Sequence, residues 1–260
     1  MNAYFQANDL STCWSNHSEV EHVKEKFDVL FQMLRRNIRN HQWNLFSHWD
    51  RNAQILNHSV SGQMPYGFSA PLLRSREQAL LVERMMGRDG VGTTLTADIY
   101  RHPLIELRVT PDYVALEYIL APNAWLDQRN LIGKLTIARY REEFRQLVKK
   151  LDRNFIFGFW EGASLSQERV TCNELLKTSY FLHDWMSTFA DGQDFMRVGA
   201  WYAHDDLLMD ADTILKELTN KLSQLLMVYE FATWTSNNNY QRFHPHQVIM
   251  PPSRGRDTQF

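Results

Sequence analysis

The stretch Ile105–Tyr118, IELRVTPDYVALEY, decides the fold. Ile105, Leu107 and Val109 alternate with Glu106 and Arg108, and Val114, Leu116 and Tyr118 alternate with Ala115 and Glu117. A period of two belongs to strands with one buried face, and Pro111-Asp112 between the runs supplies a turn. The segment therefore predicts a β-hairpin. Proline cannot take the positive φ of a type I′ turn, so a type I turn in a slightly longer loop is expected. If Thr110 and Tyr113 close that loop, Glu106 stands directly opposite Glu117. The apolar residues of both runs then share one buried face.

Toward the amino terminus, Val20, Val23, Phe27, Leu30, Phe31, Leu34 and Ile38 recur at spacings of three and four. That is one face of an amphipathic helix, and the pair Ser18 and Glu21 sets its start near Glu19. The pattern continues into Arg35, Arg36, Arg39, Trp43, Phe46, His48, Trp49 and Arg51, an aromatic-basic extension. Residues 57–73 hold Gly62, Pro65, Gly67 and Pro71 and read as a loop. Ser75 and Gln78 open a second helix that runs to about Met86, before Gly87, Gly90 and Gly92.

Toward the carboxyl terminus, helical spacing returns over Leu131 to Leu151. Phe155 to Gly162 (FIFGFWEG) reads as a short aromatic strand, and Phe195 to Ala203 as a fourth strand. Between them Thr171 and Glu174 open a helix through about Phe189. Ile214, Leu218, Leu222, Leu225, Tyr229 and Ala232 mark a long last helix, capped by Asp210 or a neighbour. The order predicts an α+β fold: a four-stranded antiparallel or mixed sheet, the hairpin and two further strands, backed by helices. The expected divisions are an N-terminal helical region and loop over 1–92, a sheet domain over 93–235, and a flexible tail over 236–260.

The chain has 260 residues and a formal charge of −2, so no global field draws it to nucleic acid or anionic lipid. Its two cysteines, Cys13 and Cys172, form no C-x-x-C pair, which argues against a disulfide framework or a cysteine zinc site. The first residues show no signal-peptide pattern, and no run approaches the ~20 apolar residues that span a bilayer. A cytoplasmic location with no membrane partner is the expectation. Phosphate-loop, dinucleotide and serine-elbow motifs are missing, so no cofactor is implied.

Three constellations carry the functional reading. Glu106 opposite Glu117, with Asp98 upstream, offers carboxylates for a divalent metal, as a metal-dependent hydrolase or nuclease would need. The same face also reads as a solvated one, with Arg108 softening the repulsion. Trp160 and Trp201, beside Glu161, could line an aromatic pocket. The third is Arg35, Arg36, Arg39 and Arg51 interleaved with Trp43 and Trp49, a surface suited to a protein or nucleic-acid partner. Residues 1–153 sum to +3 and 154–260 to −5, which favours a protein contact or self-association over nucleic acid. A binding or interaction module is the leading expectation, and the metal enzyme is its alternative.

Overall fold

The computed structural model describes residues 17–47, 54–57, 65–87, 99–162, 165–189, 195–203 and 213–240. Among these the helices are α1 (His17–Asn40), α2 (Arg76–Met85), α3 (Trp125–Leu135), α4 (Ala138–Lys150), α5 (Cys172–Leu175), α6 (Ser179–Thr188) and α7 (Ile214–Ala232). The strands are β1 (Phe46–Ser47), β2 (Gln54–Asn57), β3 (Pro65–Leu73), β4 (Leu104–Val109), β5 (Tyr113–Leu120), β6 (Ile156–Phe159), β7 (Arg169–Thr171) and β8 (Met196–Ala203). They form one sheet in the order β1-β3-β4-β5-β8-β6-β7, with β2 also paired to β3. Every pairing is antiparallel.

The expected four-stranded sheet is therefore corrected: seven strands follow one path and an eighth pairs beside it. The largest difference is β3: the glycines and prolines of residues 57–73 predict a loop, and Pro65–Leu73 forms a nine-residue strand. Pro71 pairs with Glu106 on the inner side. On the outer side β2 ends its pairing at Ser69 and β1 begins at Leu72. Pro71 thus occupies a gap on that edge, where a missing N–H costs least. The chains β1, β2 and β7 are four residues or shorter, too brief for a periodic signal.

The hairpin register is as the alternation requires. Glu106 pairs with Glu117 and Leu107 with Leu116. Thr110 N donates to Tyr113 O at 2.9 Å, and Thr110 Oγ1 accepts from Tyr113 N at 3.2 Å. Ile105, Leu107, Val109, Val114, Leu116 and Tyr118 are all fully buried on one face. The seven apolar positions of α1 join them in one core with α7 residues Leu218, Leu222 and Leu225. Phe27 of α1 meets Phe68 of β3 at 6.0 Å between ring centres.

Helices predicted as single pieces are broken by local chemistry. The run 131–151 is two helices, because Ile137 is extended (φ −97°, ψ 122°). Arg141 Nη1 donates to the carbonyls of Leu135 at 3.1 Å and Thr136 at 2.8 Å, satisfying the end of α3. The Thr171–Glu174 capping box forms as predicted. It opens only α5, and Thr178 caps α6 anew by accepting from Phe181 N. Asp210, the proposed cap of the last helix, lies outside the described residues. No described helix is long and apolar enough to cross a membrane.

Two buried polar latches tie α3 to the end of α7. Arg74 Nη2 donates to Asp127 Oδ1, and that oxygen also accepts from Trp234 N at 2.7 Å. Lys134 Nζ donates to Phe231 O at 2.6 Å and to Asn238 Oδ1. Burial pushes the Lys134 amine down to about 8, against a small opposing pull from Glu143. In the unfolded chain it titrates near 10.5, so between those values the unfolded state holds a proton that the folded state has shed. Stability from this group therefore rises with pH across that window. Between pH 7.5 and 9.5, wild type should gain stability relative to Lys134→Met in urea unfolding. Parallel pH profiles for the two proteins would refute it.

Candidate functional site

The Glu106–Glu117 face is buried, which corrects the expectation of a solvated one. Glu106 and Glu117 are each 1% exposed, and Arg108 and Arg197 each 2%. Alternation places these four side chains on one side of β4, β5 and β8, opposite the hydrophobic core. Arg108 pairs with Glu106 through Nη2 and reaches Glu117 Oε2 through Nη1 at 3.4 Å. Arg197 Nη1 lies 3.3 Å from the same Glu117 oxygen. Trp201 Nε1 donates to Glu117 Oε1 at 2.9 Å.

Gly199 is paired with Glu117, and a Cβ there would lie 2.6 Å from Leu116 O and 2.8 Å from Glu117 Cγ. Only a residue without a side chain lets Glu117 lie across β8 toward Arg197 and Trp201. The Trp160 ring covers the Arg197 guanidinium at 5.3 Å and sits 6.4 Å from Trp201. These tryptophans, proposed as pocket walls, instead flank the charges. Glu161 is exposed.

Burial raises the Glu117 pKa, with Arg197 and Arg108 opposing and Glu106 adding to the rise. Burial works against the Arg108 charge, but Glu106 and Glu117 overcome it and hold its pKa above the ordinary arginine value. Nearby Tyr100 is pushed up to about 12, by Glu106 first and burial second. Two carboxylates meeting two guanidiniums sum to zero formal charge. A divalent cation at this pair would have to displace arginines already within ion-pairing distance. Asp98, the third candidate carboxylate, lies outside the described residues. Among the described residues no group of three or more His, Cys, Asp or Glu could hold a metal ion. The geometry is that of a structural charge cluster.

The arginines of α1 are arranged differently. Arg36 and Arg39 are exposed and Arg35 is half-buried. Between residues 29 and 47 these are the only charged side chains, histidine apart. Arg35 and Arg39 line a cavity of about 480 Å³ with Trp43, Phe46 and the first residues of α2. With Arg36, Gln32 and Met33 they line a second of about 400 Å³. The expected aromatic-basic helix stops at Asn40, and Phe46 belongs to β1. Trp49 and Arg51 lie outside the described residues.

The turn that ends α1 explains where Trp43 goes. Gln42 has φ 55°, with Gln42 N donating to Arg39 O and Trp43 N to Ile38 O, both at 3.1 Å. This is a Schellman ending with glutamine where glycine is usual. A non-glycine residue in that conformation costs roughly 1–2 kcal/mol. It folds Trp43 back against the helix, where it packs on the core and lines the Arg35–Arg39 cavity. A third cavity of about 620 Å³, between α1 and α7, is also lined by Trp43, together with His41, Asn37, Lys216 and Asn220.

Sequence reasoning found the arginines and Trp43 and missed the α7 side of the site. Its signal was legible: Lys216, Thr219, Asn220 and Ser223 recur at three and four on the polar face of the last helix. Cys172 is buried, with its thiol pushed up to about 11 by burial, and it donates to Val148 O at 3.4 Å. It serves packing. No family model matches the chain, and no curated protein matches its sequence.

Proposed function

We propose that the protein is a binding module, working in the cytoplasm, that engages an anionic partner through Arg35, Arg36 and Arg39. One observation carries the reading. Among the described residues none of these three clustered guanidiniums has a carboxylate within ion-pairing distance, and no acidic side chain stands between residues 29 and 47, whereas the buried Arg74, Arg108 and Arg197 are all paired. Arginine near the end of a helix also complements the helix dipole, which is worth about 0.3–1 kcal/mol at an exposed site. That accounts for Arg39 in the last turn, and not for three arginines beside two cavities.

The direct test is fluorescence anisotropy with a labelled polyanion, comparing wild type with Arg35→Glu/Arg39→Glu. Arg39 is exposed and Arg35 half-buried, and neither belongs to the core, so the double variant should fold normally. Affinity should fall about tenfold or more, and wild-type binding should weaken as salt rises. Equal affinity for the two proteins would overturn the proposal.

A further inference from the structure

We infer that the cavity between α1 and α7 is a nucleobase subsite, and that the anionic partner is single-stranded nucleic acid. This rests on the binding role proposed for Arg35, Arg36 and Arg39 and names its ligand class. Trp43 lines both the cavity on the α7 side and the one on the β1 side, and Met33 lines both the α7-side cavity and the one along Arg36. At 3.6 residues per turn Met33, Asn37 and His41 face one flank of α1 and Arg35 and Arg39 the other, with Arg36 between them. A strand that crosses the outer face of α1 from Arg35 and Arg39 over Arg36 to Met33 reaches this recess on the α7 side.

The lining chemistry fits a base better than a peptide. His41 and Trp43 rings lie 4.8 Å apart and 15° from parallel, a pre-built stacking platform. Asn220 is exposed at the rim and Ser223 is half-buried with its hydroxyl donating to Asn220 O at 2.7 Å, so the Asn220 side-chain amide is the group offered to a base. Asn37 Nδ2 donates to Thr219 Oγ1 at 2.9 Å, bracing the two helices across the floor. Met33, 40% exposed, supplies apolar contact. The volume, about 620 Å³, lies within the usual range for small-ligand sites.

Charge matches as well. Arg35 and Arg39 stand one helical turn apart, about 6 Å along α1, a stride suited to successive phosphates. Lys216, exposed on the α7 side, adds a cation at the opposite rim. An acidic peptide would satisfy the arginines and leave the stacked pair and the amide edge unused.

The test compares three labelled probes: a twelve-residue oligothymidylate, an abasic oligomer of the same length, and polyglutamate. Wild type should bind oligothymidylate about tenfold more tightly than the abasic strand, since base–aromatic stacking is worth about 1–3 kcal/mol per base. Asn220→Trp, which fills the cavity from an exposed helix position, should remove that preference and keep abasic binding. Equal affinity for the two oligomers, with both dependent on Arg35 and Arg39, would overturn the base subsite while the anion-binding role stands. Binding of polyglutamate with no binding of either oligomer would overturn nucleic acid as the partner. Failure to bind all three would overturn both proposals.

Discussion

Glu117→Ala should lower the unfolding free energy by about 3–5 kcal/mol, the usual cost of removing one partner from a buried ion cluster. Glu117 accepts from Trp201 and faces both Arg108 and Arg197. Without it Arg108 keeps only Glu106, Arg197 loses the carboxylate it faces, and the indole N–H loses its acceptor. The penalty comes from charge left unpaired away from water, so removing the charge as well should recover much of it. Glu117→Leu combined with Arg197→Met should therefore be more stable than Glu117→Ala alone. Urea midpoints for the three proteins measure this, with the slope checked for an unchanged denatured state. A loss under 1 kcal/mol for Glu117→Ala would show that the cluster is hydrated and weak.

Asp127→Ala is the second large effect, also about 3–5 kcal/mol. Arg74 is 1% exposed and Asp127 fully buried, so truncation strands a guanidinium in the interior. It also leaves Trp234 N without the acceptor it has at 2.7 Å. Burial raises the Asp127 pKa, and Arg74 pulls it back down; the pair is therefore costly to form and costlier to break. Because Arg74 follows β3 and Trp234 follows α7, the loss should loosen the carboxyl-terminal segment against the sheet. Faster amide exchange at Trp234 and in the last turn of α7 would register that loosening. Exchange unchanged at Trp234 would refute it.

The two networks differ in how much of them the sequence carries. Glu106 opposite Glu117 follows from the hairpin alone, because a strand pair with a period of two and a short turn has one register that buries its apolar residues. Arg74 beside Asp127 is 53 positions apart in sequence, and no local pattern brings them together. The α1 surface falls between these cases. Its arginines and Trp43 are legible as a basic, aromatic run, yet their use depends on Gln42 turning the chain so that Trp43 reaches two cavities at once.

By itself the sequence determined the hairpin and its register, the apolar face of α1, the Thr171 capping box and the basic run after Leu34. Each is a contest among neighbours within a few residues, settled by backbone geometry and spacing. Only the tertiary structure decided that the polar face of the hairpin is buried, that a proline-bearing segment completes the sheet, and that α7 closes a cavity beside Trp43. Those outcomes depend on which distant segments exclude water from a surface. Alternation says which side chains share a face, and packing says which faces are covered.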